Sequence, residues 1–166
     1  MFSPHRLNNV FSLPIRVYNH DIDAGRVVFV ANYLKFMERA RSEWLHSLGV
    51  SQRYMEREQR AAFVVREAVL QCLRPAFLDD MLDSTVRIAI LRRSSLTLHQ
   101  TILRGDTVLC TADINAVCIN VVKFRPVQIP QDVRHCFERD LQTTSGAALL
   151  LNRSPYKPRC SHGATG

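Results

Sequence analysis

Nowhere does this chain hold the roughly 20 consecutive apolar residues that cross a bilayer as a helix, although 46 % of its 166 residues are apolar. An integral membrane segment is therefore not expected. Met1 to Val10 lacks an apolar run of signal-peptide length, which predicts a cytoplasmic protein. The five cysteines, Cys72, Cys110, Cys118, Cys136 and Cys160, are odd in number and include no C-x-x-C pair. That pattern argues against a disulfide framework and a zinc ribbon, and predicts reduced thiols, three of them on strands. Aromatic residues are few, at 8 %, and the cations behind the net charge of +7 are scattered. No basic stripe interleaved with stacking rings exists, so nucleic acid is not the expected partner. A phosphate-bearing small molecule accounts for the charge, and so does a plainly basic surface. No internal repeat occurs, and the length suits one domain.

What is present centres on Asp21 to Tyr33 and the amphipathic run that follows it. Tyr33, Met37, Ala40, Trp44 and Leu48 recur at spacings of four, three, four and four. They form one stripe of a helix, with Lys35, Glu38, Arg39, Ser42, Glu43 and His46 on the other face. Asn32 is the expected N-cap and Gly49 the stop. The positive end of this helix then lies close in sequence to Asp21, Asp23 and Gly25.

Around the helix the period is two. Leu13 to His20 alternates as a half-buried strand, and Asp21 to Val30 follows as a loop. Val50 to Arg60 reads as a helical or irregular connector, and Ala61 to Arg74 as a long strand ended by Pro75. Leu82 to Arg92 carries Val86, Ile88 and Ile90 on one side. Ser95 to Arg104 carries Leu96, Leu98, Gln100 and Ile102, and Arg104-Gly105-Asp106-Thr107 is a hairpin turn. Val108 to Val122 alternates again, with Val108, Cys110, Ala112, Ile114, Ala116, Cys118 and Val122 together. Gln131 to Arg139 reads as a short helix, and residues 141–166 as a largely disordered tail after a domain spanning 1–140. One strand, one long helix and four more antiparallel strands make an α+β pattern in which a five-stranded sheet can wrap the helix.

Read from residue type alone, Asp21 and Asp23 are turn formers before Gly25, and only their place near a helix start points to chemistry. His20, Asp21 and Asp23 do not read as a metal site, because their side chains would diverge and no distant His or Cys completes the set. Cys110 and Cys118 share an apolar strand face, where thiols are inert rather than nucleophilic. Tyr18 and Asn32 are candidates to line a site. Arg92, Arg93 and Arg125, with Lys123 beside the last, offer guanidinium forks for phosphates, against a plain reading as solvated strand-end charges.

The run D-x-D-A-G-x-V-V-x-x-x-N-Y-x-x-x-x-E-R-A-R-x-E-W-L, from Asp21 to Leu45, resembles the hotdog-fold acyl-CoA thioesterases. The likeness is to the 4-hydroxybenzoyl-CoA thioesterase superfamily and its Tol-Pal-associated branch. It continues at Phe63 to Arg66, Pro75-Ala76, Asp79-Asp80, Ser95-Leu96, Gln100 and Arg125-Pro126. The resemblance implies a hotdog sheet wrapped around the helix and hydrolysis of acyl-CoA without metal or other cofactor. It makes Asp23 the general base or nucleophile, and Val30 the backbone N–H that polarises the thioester carbonyl. It assigns coenzyme A contacts to Arg92, Arg93, Lys123 and Arg125, and makes Ser95 a hydrogen-bonding residue. A homodimer or dimer of dimers is expected, because a bare hotdog sheet leaves edges open.

Two departures stand out. Val30 replaces a histidine common in the branch, and Cys72-Leu73 replaces aromatic residues, a change expected to reshape the acyl pocket. The alternative is a weakly active module that binds acyl-CoA or acyl carrier protein for an envelope or lipid-synthesis complex. A dehydratase of the same fold fits less well, for want of the matching histidine.

Overall fold

A computed structural model describes the backbone of residues 3–148 and the side chains as far as residue 144. Seven strands form one antiparallel sheet: β1 (His5–Leu7), β2 (Val10–Arg16), β3 (Ala61–Cys72), β4 (Met81–Leu91), β5 (Ser95–Arg104), β6 (Thr107–Asn120) and β7 (Arg125–Pro126). Their spatial order is β1-β2-β4-β5-β6-β3, with β7 on β6. The long helix α1 (Val30–Ser47) packs on one face of this sheet. Short α2 (Gln52–Arg57) leads into β3, and α3 (Gln131–Ala148) follows β7. This is the α+β hotdog arrangement, with seven strands where five were expected.

The two extra strands are short. Asn8 and Asn9 both adopt positive φ, +49° and +65°, and pair Leu7 with Val10 across a two-residue turn of the I′ kind that asparagine tolerates. The last helix runs past Arg139 to Ala148, well beyond the short helix expected there. The rest of the predicted tail, 149–166, lies outside the described residues.

Helix α1 buries Tyr33, Met37, Ala40 and Trp44 as the spacing requires, and Phe36 and Leu45 besides. Gly49 ends it at φ +78°, with Gly49 N–H donating to His46 O and Val50 N–H to Leu45 O. Those two bonds are a Schellman closure. Its start departs from expectation. Phe29 occupies the N-cap position without a side-chain bond, and Asn32 sits inside the first turn.

Opposite the helix, Leu96, Leu98, Gln100 and Ile102 of β5 meet Cys110, Ala112, Ile114, Ala116 and Cys118 of β6 in the core. Val122 is not with them. It lies in the turn after β6 and is exposed. Ile90 also faces out, because a bulge after Ile88 reverses the alternation of β4. Trp44 stacks on Phe137 of α3, with ring centroids 5.3 Å apart. Its Nε1–H donates to buried Asp140, which also accepts from Arg6. No helix among the described residues is long and apolar enough to cross a membrane.

Candidate active site

Residues 21–30 fold back on themselves as a small hairpin before entering α1. Ile22 bridges to Val28, Asp23 N–H donates to Val27 O at 2.9 Å, and Phe29 N–H donates to Asp21 O at 3.0 Å. At the tip, Arg26 takes φ +61° and its N–H donates to Asp23 O. The Asp23 carboxylate is exposed, and its Oδ1 accepts the Gly25 N–H at 2.7 Å. A Cβ on Gly25 would lie 3.0 Å from that same oxygen, so glycine is the residue that lets the carboxylate fold over the turn. The hairpin ends in α1, whose first residue is Val30. The first N–H groups of a helix have no acceptor within it, and here they carry the positive end of its dipole.

Asp21 has a structural task. It is buried, its Oδ2 accepts the Tyr18 N–H at 2.9 Å, and its backbone oxygen accepts from Asn32 Nδ2 at 2.8 Å as well as from Phe29. Asn32 thus fastens the hairpin to the helix instead of capping it. A second clasp holds the other strand. Val28 N–H donates to Ala76 O at 2.9 Å, and Ala76 N–H donates to Tyr33 Oη at 3.0 Å. Burial raises the Tyr33 hydroxyl above its ordinary pKa, opposed by the hydrogen bond from Ala76. Tyr18 stands half-exposed and stacks on His20.

Arg92, Arg93, Ser95, Lys123 and Arg125 gather elsewhere. Arg92 and Arg93 occupy the turn between β4 and β5, Ser95 opens β5, and Lys123 and Arg125 follow β6. Arg92 N–H closes the turn on Ser95 O at 2.8 Å, and the Arg93 guanidinium reaches Gln128 Oε1 at 3.2 Å. Asn120 Oδ1 accepts the Lys123 N–H at 2.9 Å. All four cations are exposed. Eleven residues of β4 separate this end of the sheet from the Asp23 end, roughly 33 Å of strand. Within one chain the two groups do not meet.

A cavity of about 220 Å³ lies between α1 and the β3 side of the sheet. Ala62, Phe63, Val65 and Leu98 line it, with Glu38 and Arg41 supplying charge. Arg41 Nη1 donates to Gln100 Oε1 at 2.7 Å, and buried Gln100 donates in turn to Met37 O. Burial lowers the pKa of this guanidinium, with Glu38 opposing the shift. The motif around these residues was visible in the sequence, but nothing there marked Arg41 and Gln100 as partners. Neither Cys72 nor Leu73 lines the cavity. No group of three metal-ligating side chains occurs among the described residues.

The model of the family described as the thioesterase-like superfamily matches residues 17–137, most of the chain and all of the elements that build the hairpin and α1. The chain belongs to that superfamily. Among its relatives, the acyl-CoA thioesterase YbgC of Haemophilus influenzae is 37 % identical over 131 residues, covering 79 % of this chain and 96 % of its own. The acyl-CoA thioester hydrolase YbgC of Escherichia coli O6:H1 is 40 % identical over 125 residues, covering 75 % and 92 %. Among solved structures, a probable thioesterase from Bartonella henselae superposes with a TM-score of 0.70 at 33 % identity, over 73 % of this thioesterase-like chain and 99 % of its own.

Proposed function

We propose that this protein hydrolyses acyl-CoA thioesters at a site shared by two copies of the chain, with Asp23 as the catalytic carboxylate and the Val30 N–H as the carbonyl donor. The observation that carries this reading is the hairpin itself. Asp21 pairs with Phe29 at its base, and Asp23 lies two residues further out, ~7 Å along an extended strand. The strand that carries Asp23 thus runs beside the one that leads into the helix tip, the arrangement a carboxylate and an N–H donor acting on one carbonyl require.

In the general-base route, Asp23 takes a proton from water as the water oxygen adds to the carbonyl carbon. The oxyanion rests on the Val30 N–H, and the tetrahedral adduct expels the coenzyme A thiolate, which regains the proton from Asp23. Direct attack by Asp23, giving an acyl-enzyme anhydride that water then cleaves, uses the same contacts.

Edge strand β3 supports the shared site. Val64, Val65 and Val69 are exposed along it, and an apolar edge of this length invites pairing with a second chain. A two-fold axis makes that pairing antiparallel. The arginine end of one subunit then lies at the Asp23 end of the other, where Arg92, Arg93, Lys123 and Arg125 can meet the phosphates of the nucleotide. The cavity beside β3 suits the acyl group. An engineered cavity of about 150 Å³ holds benzene, so 220 Å³ has room for an aromatic ring or a short chain.

Val30 favours a second reading, an acyl-CoA or acyl carrier protein binding module with little turnover. Its side chain, half-exposed at the helix tip, offers no polar group where the branch often has histidine. Thiol release across a series of acyl-CoA esters separates the two. The hydrolase reading predicts turnover that peaks with short or aromatic acyl groups. Saturable binding of the same esters with no thiol release would establish the module instead.

A further inference from the structure

Cys72, at the end of β3, and Cys110, in β6, are Cα partners in the antiparallel register, and their Sγ atoms are 3.8 Å apart. The next pair out, Leu73 and Leu109, is joined by a hydrogen bond from Leu73 N to Leu109 O. Hydrogen-bonded and non-hydrogen-bonded pairs alternate along an antiparallel ladder, so Cys72 and Cys110 form a non-hydrogen-bonded pair. Side chains approach most closely at such pairs, with Cα atoms ~4.5 Å apart, inside the range a disulfide spans. A disulfide needs the sulfurs at about 2.05 Å, a closure that side-chain rotation can supply. Within the single chain one thiol is open to reagents and the other is not, because Cys72, at the last position of β3, is exposed and Cys110 is fully buried.

From this geometry we infer that Cys72 and Cys110 are a thiol–disulfide modification site, closed by small-molecule disulfides of the glutathione type and reopened by thiols. The Cys72 thiolate attacks one sulfur of the small disulfide, forming a mixed disulfide and releasing one thiol. Cys110 then loses its proton to solvent and attacks the Cys72 sulfur, releasing the second thiol. Two protein thiols and one small disulfide thus become one protein disulfide and two small thiols. Burial and the neighbouring Cys72 thiol push the Cys110 pKa strongly upward, so the second step is the slow one and quickens as pH rises.

The link would act on the scaffold of the hairpin. Leu73 and Arg74 N–H groups both donate to Leu109 O, and two residues later Ala76 clasps Val28 and Tyr33. Closing 72 to 110 locks the strand end from which that clasp departs. The inference does not depend on what reaction the protein catalyses.

Incubation of the full chain with oxidised glutathione, followed by peptide mapping and thermal melting, tests it. A loss of two hydrogens mapped to a Cys72–Cys110 peptide is expected, with a Tm rise of roughly 5–10 °C that dithiothreitol reverses. Cys72→Ser and Cys110→Ser should each abolish the link, and the exposed position of Cys72 makes the first variant structurally mild. A stable glutathione adduct on Cys72 alone, a chain-to-chain link through Cys72, or no change in mass at alkaline pH would overturn it.

Discussion

The Asp23 carboxylate accepts one hydrogen bond, from the Gly25 N–H, a bond that an asparagine side chain can also accept. Asp23→Asn should therefore leave the thermal midpoint in place while lowering kcat/KM about 10²- to 10⁴-fold, the usual worth of a positioned general base. Gly25→Ala reaches the same group by another route. The added Cβ presses on Asp23 Oδ1, so activity should drop with little change in stability on a denaturant melt. Buried Cys118 supplies a prediction in pH. Burial pushes its thiol up to about 11, so the folded protein keeps this proton where the unfolded chain gives it up. The raised folded pKa means the contribution is complete below pH 9 and is lost as pH climbs toward 11. The loss is about 3 kcal/mol, and Cys118→Ala should flatten that alkaline limb in urea titrations. The aspartate was legible in the sequence because a short motif carries it. The purpose of its neighbours was not. Asp21, Asn32 and Tyr33 act through backbone groups at positions 18, 29 and 76, partners that spacing along the chain does not name.

Among the elements, α1 could be read from its period, since one stripe of apolar residues has only one face to bury. Its start could not. The bonds that begin it come from a loop hairpin rather than from a capping side chain, and Phe29 carries no capping signal. Strand β3 misleads in a different way. Its Val-rich run has the composition of a buried strand, yet it forms the sheet edge and is largely exposed, because among the described residues nothing pairs with its outer side. Past Arg139, α3 carries Asp140 to Trp44 and Arg6 and packs Leu141 against the core, partners distant in sequence. Asp140 ties three elements at once, accepting from Trp44 of α1 and from Arg6 of β1. Asp140→Ala strands a buried indole N–H and a guanidinium, and should cost about 2–3 kcal/mol in chemical denaturation.

Across the whole molecule, Asp23 and Val30 lie at one end of the sheet and the arginine cluster at the other. One chain does not bring them together, and the proposed antiparallel pairing of β3 would bring the arginine end of a second chain to each Asp23. Val64→Lys with Val69→Lys should therefore yield monomers by light scattering and lose hydrolysis along with assembly. The most direct measurement is complementation. Asp23→Asn chains and chains carrying Arg92→Ala, Arg93→Ala and Arg125→Ala are refolded separately and as an equal mixture, then assayed for thiol release below KM. Shared sites predict that each parent is nearly inactive while the mixture regains about a quarter of wild-type activity, since half the dimers are mixed and each holds one intact site. A mixture no more active than its parents would place Asp23 and its arginines in the same chain and contradict the shared site.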